Sequence, residues 1–363
     1  MFLAIRDIRF AKCRFALMGG VIALITLLLV LLSGLTAGLS NQSTSAIAAL
    51  PADHIVFGAP AGTDPKASYS ESSVTAAQWA RWQDRDGVTR AEPLGISQNR
   101  LQSIDADGRP AGSANVAVFG VGDGGALAPA PAAEGTVVIG AGLAKELGLA
   151  AGRRVTVGGT ELAVAAVVPD QWYSHTTVVW TALADWRKVS HLSGTDGLAT
   201  VLAVSTGSGA DLSAADQAAG TVSTSRDGSF QALGSYRSEN GSLLLMQAFL
   251  YGISALVIVA FLTVWTVQRT RDIAVLKALG GSTGYVLRDA LVQAGVVLLA
   301  GAAAGGVAGC LGGLLAGRAA PFVTAPQTTL LPVAGIILLG LAGAILAVRG
   351  VTRVDPLLAL GGN

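Results

Sequence analysis

The sequence has few charged residues and almost no cysteine. Only 13% of its 363 residues are charged, whereas ordinary soluble domains have about 25%. The 2 cysteines are Cys13, in a basic N-terminal stretch, and Cys310, inside a long apolar run, and neither has a metal-type neighbour. The composition therefore argues against a wholly soluble protein, and the cysteines argue against a disulfide framework.

The sequence also lacks the short motifs of common enzymes. It contains no GxSxG and no GxxxxGK, and its glycine-rich stretch 120–125 lacks the strand-to-helix context of a dinucleotide fold. Its 3 histidines, His54, His175 and His191, have no HxxxH or HxxE partner. We therefore expect no catalytic residue, no structural metal site, no permanently bound cofactor and no nucleic-acid partner.

Four long apolar runs stand out in what the sequence does contain. A helix that spans a bilayer needs about 20 predominantly apolar residues, and the runs 16–39, 243–267, 290–315 and 330–348 carry no charged side chain. Ala46-Ile47-Ala48 resembles a signal-peptide cleavage site. The first run is longer than a signal core of about 7–15 residues, so we expect it to stay as a true helix.

Lysine and arginine are unevenly distributed around the four runs. Basic residues tend to flank membrane spans on the cytoplasmic side. This distribution predicts a multi-pass protein of the bacterial cell membrane, with both termini and the middle loop in the cytoplasm and in contact with lipid. The basic residues are Arg6, Arg9, Lys12 and Arg14 before the first run, Arg269, Arg271, Lys277 and Arg288 in the middle loop, and Arg349 and Arg353 after the last run.

The third run is rich in glycine. Gly301, Gly305, Gly309 and Gly313 recur at every fourth position. In lipid, such a face allows two helix backbones to approach closely. We expect helix packing here rather than a pore.

The segment between the first two runs is polar and mixed, and it predicts an α/β domain outside the membrane. Short apolar stretches predict strands at 136–139, 176–180 and 200–204, and helices at 141–147 and 182–190. A hairpin is predicted around Gly158-Gly159, between 153–157 and 161–168. The fold class is therefore an integral membrane α-helical bundle of four transmembrane helices with an inserted extracytoplasmic α/β domain.

The loop after the second run carries the most specific pattern. From Gln268 to Ser282 it reads QRTRDIAVLKALGGS, which predicts a short amphipathic helix that ends at Gly280-Gly281. Such a helix can dock in a groove of another protein. Alternatively, it lies passively in the membrane interface.

This pattern resembles the coupling segment of the FtsX/MacB-like permeases of ABC transporters, whose usual form is RxREIxxLRALGA. The chain has Asp272 for Glu and Lys277 for Arg, which preserve charge, and Gly281 for Ala. The resemblance covers the whole plan: an amphipathic N-terminal segment, one span, a large outer domain, three spans and a terminal RVDPLLAL like the family's PxxAL tail.

The resemblance implies a homodimeric permease that works with two copies of a separate ATP-binding ABC ATPase subunit. The implied coupling residues are Arg271, Asp272, Leu276, Lys277 and Leu279. The implied organisation is a cytoplasmic amphipathic helix at 1–15, transmembrane helices at 16–39, 243–267, 290–315 and 330–348, the outer domain at 40–242, the coupling helix at 268–289 and a cytoplasmic tail at 349–363.

The outer end of the second span suggests what is moved. A helix that begins at Ser238 would place Glu239, Met246 and two apolar residues in one stripe. Haem suits such a site, because its iron accepts oxygen or sulfur ligands and an arginine can pair with a propionate. The predicted substrate-binding residues are Tyr236, Arg237, Glu239, Met246 and Tyr251.

The plan and the opening MFLAIRDI resemble the HrtB-type haem exporter branch of the family. Haem or a similar amphiphile is therefore the expected substrate, and another lipophilic or peptide substrate stays open. The alternative is a mechanotransmission permease that moves nothing and regulates a cell-wall hydrolase outside. For that role, the apolar and aromatic residues around Trp79 and Trp82 are the candidate partner surface.

Overall fold

The computed structural model describes residues 12–59, 62–105, 107–122, 126–191, 197–268 and 283–352. The chain divides into two compact units, with boundaries between Leu39 and Ser40 and between Asn240 and Gly241. We call Ser40–Asn240 the inserted domain and the remainder the membrane unit.

The described residues form eight α-helices and twelve strands. The helices are α1 (Lys12–Ala48), α2 (Ala76–Gln83), α3 (Ala141–Leu147), α4 (Leu183–Val189), α5 (Leu212–Ala219), α6 (Gly234–Gln268), α7 (Thr283–Ala316) and α8 (Pro326–Thr352). The strands are β1 (His54–Phe57), β2 (Val74–Thr75), β3 (Val88–Ile104), β4 (Pro110–Val121), β5 (Thr136–Gly140), β6 (Arg154–Val157), β7 (Thr160–Val168), β8 (Trp172–Tyr173), β9 (Thr176–Ala182), β10 (Gly197–Ala199), β11 (Val201–Thr206) and β12 (Val222–Ser225).

Four helices are long and apolar enough to cross a membrane, which confirms the four predicted spans. The apolar segments are Phe15–Ala48, Gly234–Trp265, Leu291–Ala316 and Pro326–Ala347. Two of the helices are longer than their apolar runs, because α1 continues to Ala48 and α6 already begins at Gly234.

The end of α1 is part of the core of the inserted domain. Ala46 and Ile47, in the segment that resembles a cleavage site, are fully buried there. Because this segment is helical and buried, it offers no extended backbone that a peptidase could bind in this fold.

The glycine-rich face of α7 packs on α1 within the membrane unit, as the fourfold spacing predicts. A Cβ atom added at Gly301 would lie 2.8 Å from the carbonyl oxygen of Gly19, and one at Gly309 would lie 2.7 Å from Cγ1 of Val30. Real Cβ atoms essentially never lie that close to other heavy atoms. The glycines therefore permit the close helix contact.

The inserted domain is built on one large mixed sheet. Its strand order is β12-β1-β11-β3-β4-β9-β5-β7-β6, and β6 also pairs with β3, so that six strands close into a small barrel. The pairs β4–β9 and β5–β7 are parallel, and the other pairs are antiparallel. A closed ring of strands leaves few free edges.

The sequence predicted most of the short elements of this domain. The predicted helix at 141–147 is α3, and the hairpin around Gly158-Gly159 is formed by β6 and β7. The long hairpin of β3 and β4 was not predicted, because exposed polar residues such as Gln98 and Arg100 interrupt its apolar pattern.

Three buried clusters stabilise the inserted domain. One of them contains Phe119 and Trp180 together with the end of α1, and another packs Trp186 inside the barrel. The third contains Trp82, which is fully buried and donates its indole N–H to Thr221. Trp82 is therefore a core residue and cannot form an exposed partner surface in this fold.

Candidate functional site

A tight hairpin turn marks the most unusual backbone of the inserted domain. Ser174 and His175 connect β8 to β9, and their φ angles are 49° and 61°. Two-residue hairpins of this kind require positive φ at both turn positions and usually contain Asn-Gly. Because residues other than glycine adopt this conformation uncommonly, contacts of the turn must compensate for its cost.

The turn is attached to the end of α1 through main-chain hydrogen bonds. The N–H groups of Ser174 and His175 donate to the carbonyl oxygens of Ser43 and Gln42, both at 3.0 Å. The N–H of Trp172 donates to the Ser45 hydroxyl at 2.9 Å. The hairpin and this helix end therefore form one hydrogen-bonded assembly.

The side chain of His175 joins α1 to α6 within the inserted domain. Its Nε2 atom lies 3.1 Å from the Ser43 hydroxyl and 2.9 Å from Oε2 of Glu239. In a Ser-His-acid triad, the acid binds the nitrogen that does not face the serine. Here both partners contact the same nitrogen, so the geometry is that of a polar link and not of a nucleophile with its base.

A cavity of about 450 Å³ opens beside this link, within the range of about 300–1,000 Å³ that is typical of small-molecule sites. It lies between the hairpin and the first turn of α6, a helix start that carries no acidic residue. The lining residues are Tyr69, Ser70, Ile96, Ser97, Gln98, Tyr173, Ser174, Ala232, Leu233, Gly234 and Ser235.

Two tyrosines at the cavity differ in their hydrogen bonding. The Tyr69 hydroxyl donates to Ser229 at 2.8 Å. Tyr173 is only 7% exposed, and its hydroxyl makes no hydrogen bond to any residue that the structure describes. Burial raises the pKa of both phenols above their ordinary value, and for Tyr173 the neighbouring Tyr69 adds to the effect. Tyr173 is therefore a protonated donor without a partner among the described residues.

Helix starts attract anions, because the first N–H groups of a helix have no intrahelical acceptor. The first residues of α6 line the same cavity as Tyr173, Ser97 and Gln98. This set of neutral donors suits a carboxylate or another acidic group.

Three of the five predicted substrate-binding residues lie on the first turns of α6 in the inserted domain. Tyr236 is half-buried with its ring against Phe230, at a centroid distance of 6.0 Å. Arg237 is exposed, and Glu239 is half-buried against His175. Tyr236, Arg237 and Glu239 are thus near the cavity in sequence, although none of them lines it.

The other two predicted residues, Met246 and Tyr251, belong to the membrane unit. Met246 is 56% exposed on the outer surface of α6. Tyr251 is half-buried and packs against α8, where a Cβ at Gly335 would lie 3.0 Å from its hydroxyl. Met246 is more exposed than Leu243 and Leu250, which lie near it on the same helix and are half-buried. Substrate binding by the five residues stays a prediction.

The predicted coupling residues lie outside the described residues. Arg271, Asp272, Leu276, Lys277 and Leu279 all fall in the segment 269–282. The amphipathic N-terminal segment and the tail from residue 353 are also outside, apart from the start of α1.

The sequence did not reveal His175, Tyr173 or Ser43 as site residues. Among the described residues, no group of three or more His, Cys, Asp and Glu side chains is placed to hold a metal ion. The available signal was local: Trp172-Tyr173 and Thr176 favour strands and leave only Ser174-His175 between them as a turn. The partners of His175 lie 132 and 64 residues away, and only the fold brings them together.

Comparisons with known proteins give the family. The family model of the MacB-like periplasmic core domain matches residues 15–222, and that of the FtsX-like permease C-terminal region matches residues 244–356. Together they cover most of the chain, in the order that the resemblance implies.

Two relatives illustrate the range of similarity. The chain is 26% identical over 204 residues to a Staphylococcus epidermidis permease, HrtB, that is named for hemin transport. That match covers 56% of this chain and 57% of the relative's length. An uncharacterized ABC transporter permease of Mycobacterium bovis is 24% identical over 385 residues, which cover 100% of this chain and 99% of the relative.

Among solved structures, the periplasmic region of MacB from Actinobacillus actinomycetemcomitans is 12% identical, with a TM-score of 0.35, over 50% of this chain and 92% of that one. The family models match the inserted domain and the permease region separately, and both matches agree with the four spans and the inserted α/β domain. The chain therefore belongs to the FtsX/MacB-like permeases of ABC transporters.

Proposed function

We propose that this chain is the permease subunit of an ABC exporter that expels haem or a similar acidic amphiphile from the membrane. The observation that carries the proposal is the cavity between the hairpin and α6, which is lined by Tyr173, a residue whose hydroxyl is unpartnered among the described residues. The name of the staphylococcal relative supports hemin as the substrate.

The chemistry of the cavity fits one end of such a molecule. A carboxylate can accept hydrogen bonds from the Tyr173 phenol and from the first N–H groups of α6. Apolar walls from Ile96 and Leu233 suit the adjoining ring or chain. The nearby carboxylate of Glu239 and phenol of Tyr236 offer the oxygen ligands that iron accepts.

The proposed mechanism needs partners. An ABC permease of this family works with a separate ATPase, and we propose two ATPase copies on a homodimer of this chain. The segment with Arg271, Asp272, Leu276, Lys277 and Leu279 would dock to the ATPase, since it combines an apolar face with charges. The comparisons do not favour the mechanotransmission alternative.

Haem binding by the purified chain tests the substrate. The Tyr173→Phe variant removes the free donor without changing the ring, and Glu239→Gln removes the carboxylate with little change in shape. We expect the wild type to give a Soret shift on titration with haem, and each variant to weaken the apparent affinity about tenfold, which corresponds to about 1.4 kcal/mol for one lost charge-assisted bond.

Glu161→Gln is the matched control, because Glu161 is an exposed β7 residue whose ion pair is with Arg154. It should bind haem like the wild type. A wild type without a Soret shift, or variants that bind as tightly as the control, would contradict the proposal. In cells, loss of the chain should raise haem sensitivity, and the same two variants should restore tolerance less well than Glu161→Gln.

A further inference from the structure

We infer that the hairpin tip Ser174-His175 is a gate for the cavity, which stays attached to α1 and separates from α6 to admit or release the ligand. The inference rests on the proposed function for the identity of the ligand. The gate itself follows from how the tip is bonded on its two sides.

The two sides of the tip are held by different kinds of contact. Toward α1, three main-chain N–H groups of residues 172–175 donate to Gln42, Ser43 and Ser45. Toward α6, the described contacts join side chains: the hydroxyls of Ser174 and Ser235 at 3.0 Å, and His175 with Glu239 at 2.9 Å.

The contacts on the α6 side are also open to water. The side chains of His175 and Glu239 are 36% and 31% exposed, and the hydroxyl pair is exposed as well. Water replaces such contacts readily, and exposed ion pairs contribute little net free energy. Separation on this side therefore needs less free energy than separation from α1.

The cavity lies where this separation would occur. Tyr173 and Ser174 form one wall and Gly234 and Ser235 form another. Breaking the two side-chain links would widen the entrance to the cavity. The arrangement with both links formed is then the narrow state of the gate.

A reversible cross-link tests the gate. In a background with Cys13→Ser and Cys310→Ser, the pair Ser174→Cys and Ser235→Cys places two thiols where hydroxyls lie 3.0 Å apart. A shift of about 1 Å brings the sulfurs to a bond length of about 2.05 Å. We expect oxidation to slow haem association with the full-length chain at least tenfold, and a reductant to restore it.

In the Cys13→Ser background, native Cys310 paired with Thr329→Cys is the control. The Cys310 Sγ atom lies 3.2 Å from the Thr329 hydroxyl, and the link joins α7 to α8 in the membrane unit and does not cross the α6 side of the gate. Oxidation of this pair should leave haem association unchanged. Equal association rates for the oxidised and reduced gate pair would overturn the inference. Haem binding by the reduced form shows that the variant is folded.

A second measurement does not depend on haem. A single Ser235→Cys variant should react with a maleimide faster when His175→Gln and Ser174→Ala remove the links, by at least threefold. An unchanged rate would contradict the gate. If the thiol introduced at position 235 responds as expected but no form of the chain binds haem, the gate stands and the proposed substrate fails.

Discussion

The inserted domain and the membrane unit use the same residue types in opposite ways. In the inserted domain, large apolar side chains such as Phe119, Trp180 and Leu101 are completely buried. In the membrane unit, Leu256 is 70% exposed and Leu338 is 68% exposed. In water, burial of apolar surface stabilises a fold, whereas lipid solvates a leucine as well as a protein core does. Stability must therefore come from burial in one unit and from close backbone packing in the other.

Matched leucine truncations should give the largest difference in stability between the two units. Leu101→Ala leaves a void in the barrel core and should lower the free energy of unfolding by about 2–5 kcal/mol. Leu338→Ala removes an exposed side chain of α8 and should change it by less than about 0.5 kcal/mol. Thermal unfolding of the full-length chain in detergent, followed by tryptophan fluorescence, measures the difference, since 5 of the 6 tryptophans lie in the inserted domain.

For the leucine pair, Leu162→Ala is a second buried variant, at a site that is 2% exposed. It should behave like Leu101→Ala. If Leu338→Ala were as destabilising as the buried variants, α8 would owe its stability to side-chain burial and the contrast between the units would be wrong.

Glycine substitutions test whether the membrane unit depends on close backbone packing. A Cβ at Gly305 would collide with the backbone carbonyl of Ala23, which cannot move without shifting α1. Overpacking of this kind costs about 1–3 kcal/mol, so Gly305→Ala should lower the heat stability of the full-length chain. Size-exclusion chromatography after stepwise heating measures the loss of folded protein.

Gly20→Ala is the control for this substitution, because a Cβ there meets no described atom within 4 Å. It should leave the heat stability of the full-length chain unchanged or slightly raise it, since alanine favours the helix. Equal losses for both glycine variants would show that α1 and α7 do not depend on close contact.

The smallest expected effect concerns a charge in the inserted domain. Lys188 contacts Asp185 at 2.9 Å and Glu134 at 3.0 Å, and the hydrogen bond to Asp185 is the main reason why its pKa is raised. A raised folded pKa contributes stability below the unfolded lysine pKa of about 10.4, and this contribution disappears as the pH rises through the folded value. Lys188→Met should therefore lose less stability than the wild type as the pH rises above about 10.

Thermal unfolding at pH 8 and pH 11 measures how much stability each protein loses between these two pH values. The control is Lys145→Met, on α3, for which no ion pair with another described residue is present. If Lys188→Met lost as much stability between pH 8 and pH 11 as the wild type, the pair of Lys188 with the buried Asp185 would not be maintained in solution.

Most of the membrane architecture could be predicted from the sequence, because each span is a property of its own segment. The runs near Leu29, Leu262 and Leu298 are apolar over the length of a bilayer, and the glycine spacing predicted which face of α7 packs closely. The helix ends were less predictable. The polar residues Asn41 to Ser45 continue α1, because the inserted domain buries Ala46 and Ile47 against its core.

The candidate site could be predicted only in part. Glu239 was identified from its position at the outer end of a span, whereas His175 has no metal-type or catalytic neighbour in sequence. The link between them joins residues 64 positions apart. Neither hydrophobic periodicity nor local propensity in the sequence reveals this contact, because the pairing of β8 with β9 decides where the turn points.

The sequence by itself determined the solvent of each segment: four apolar runs belong in lipid, a mixed segment forms an α/β domain, and the loop pattern gives the family. These properties depend on composition and local spacing, which act over one or a few turns of helix. Only the tertiary structure decided which polar groups meet at the hairpin, which tyrosine keeps a free hydroxyl among the described residues and where the cavity opens. Those outcomes depend on the register of distant strands and on the ends of two long helices, and that information is not local.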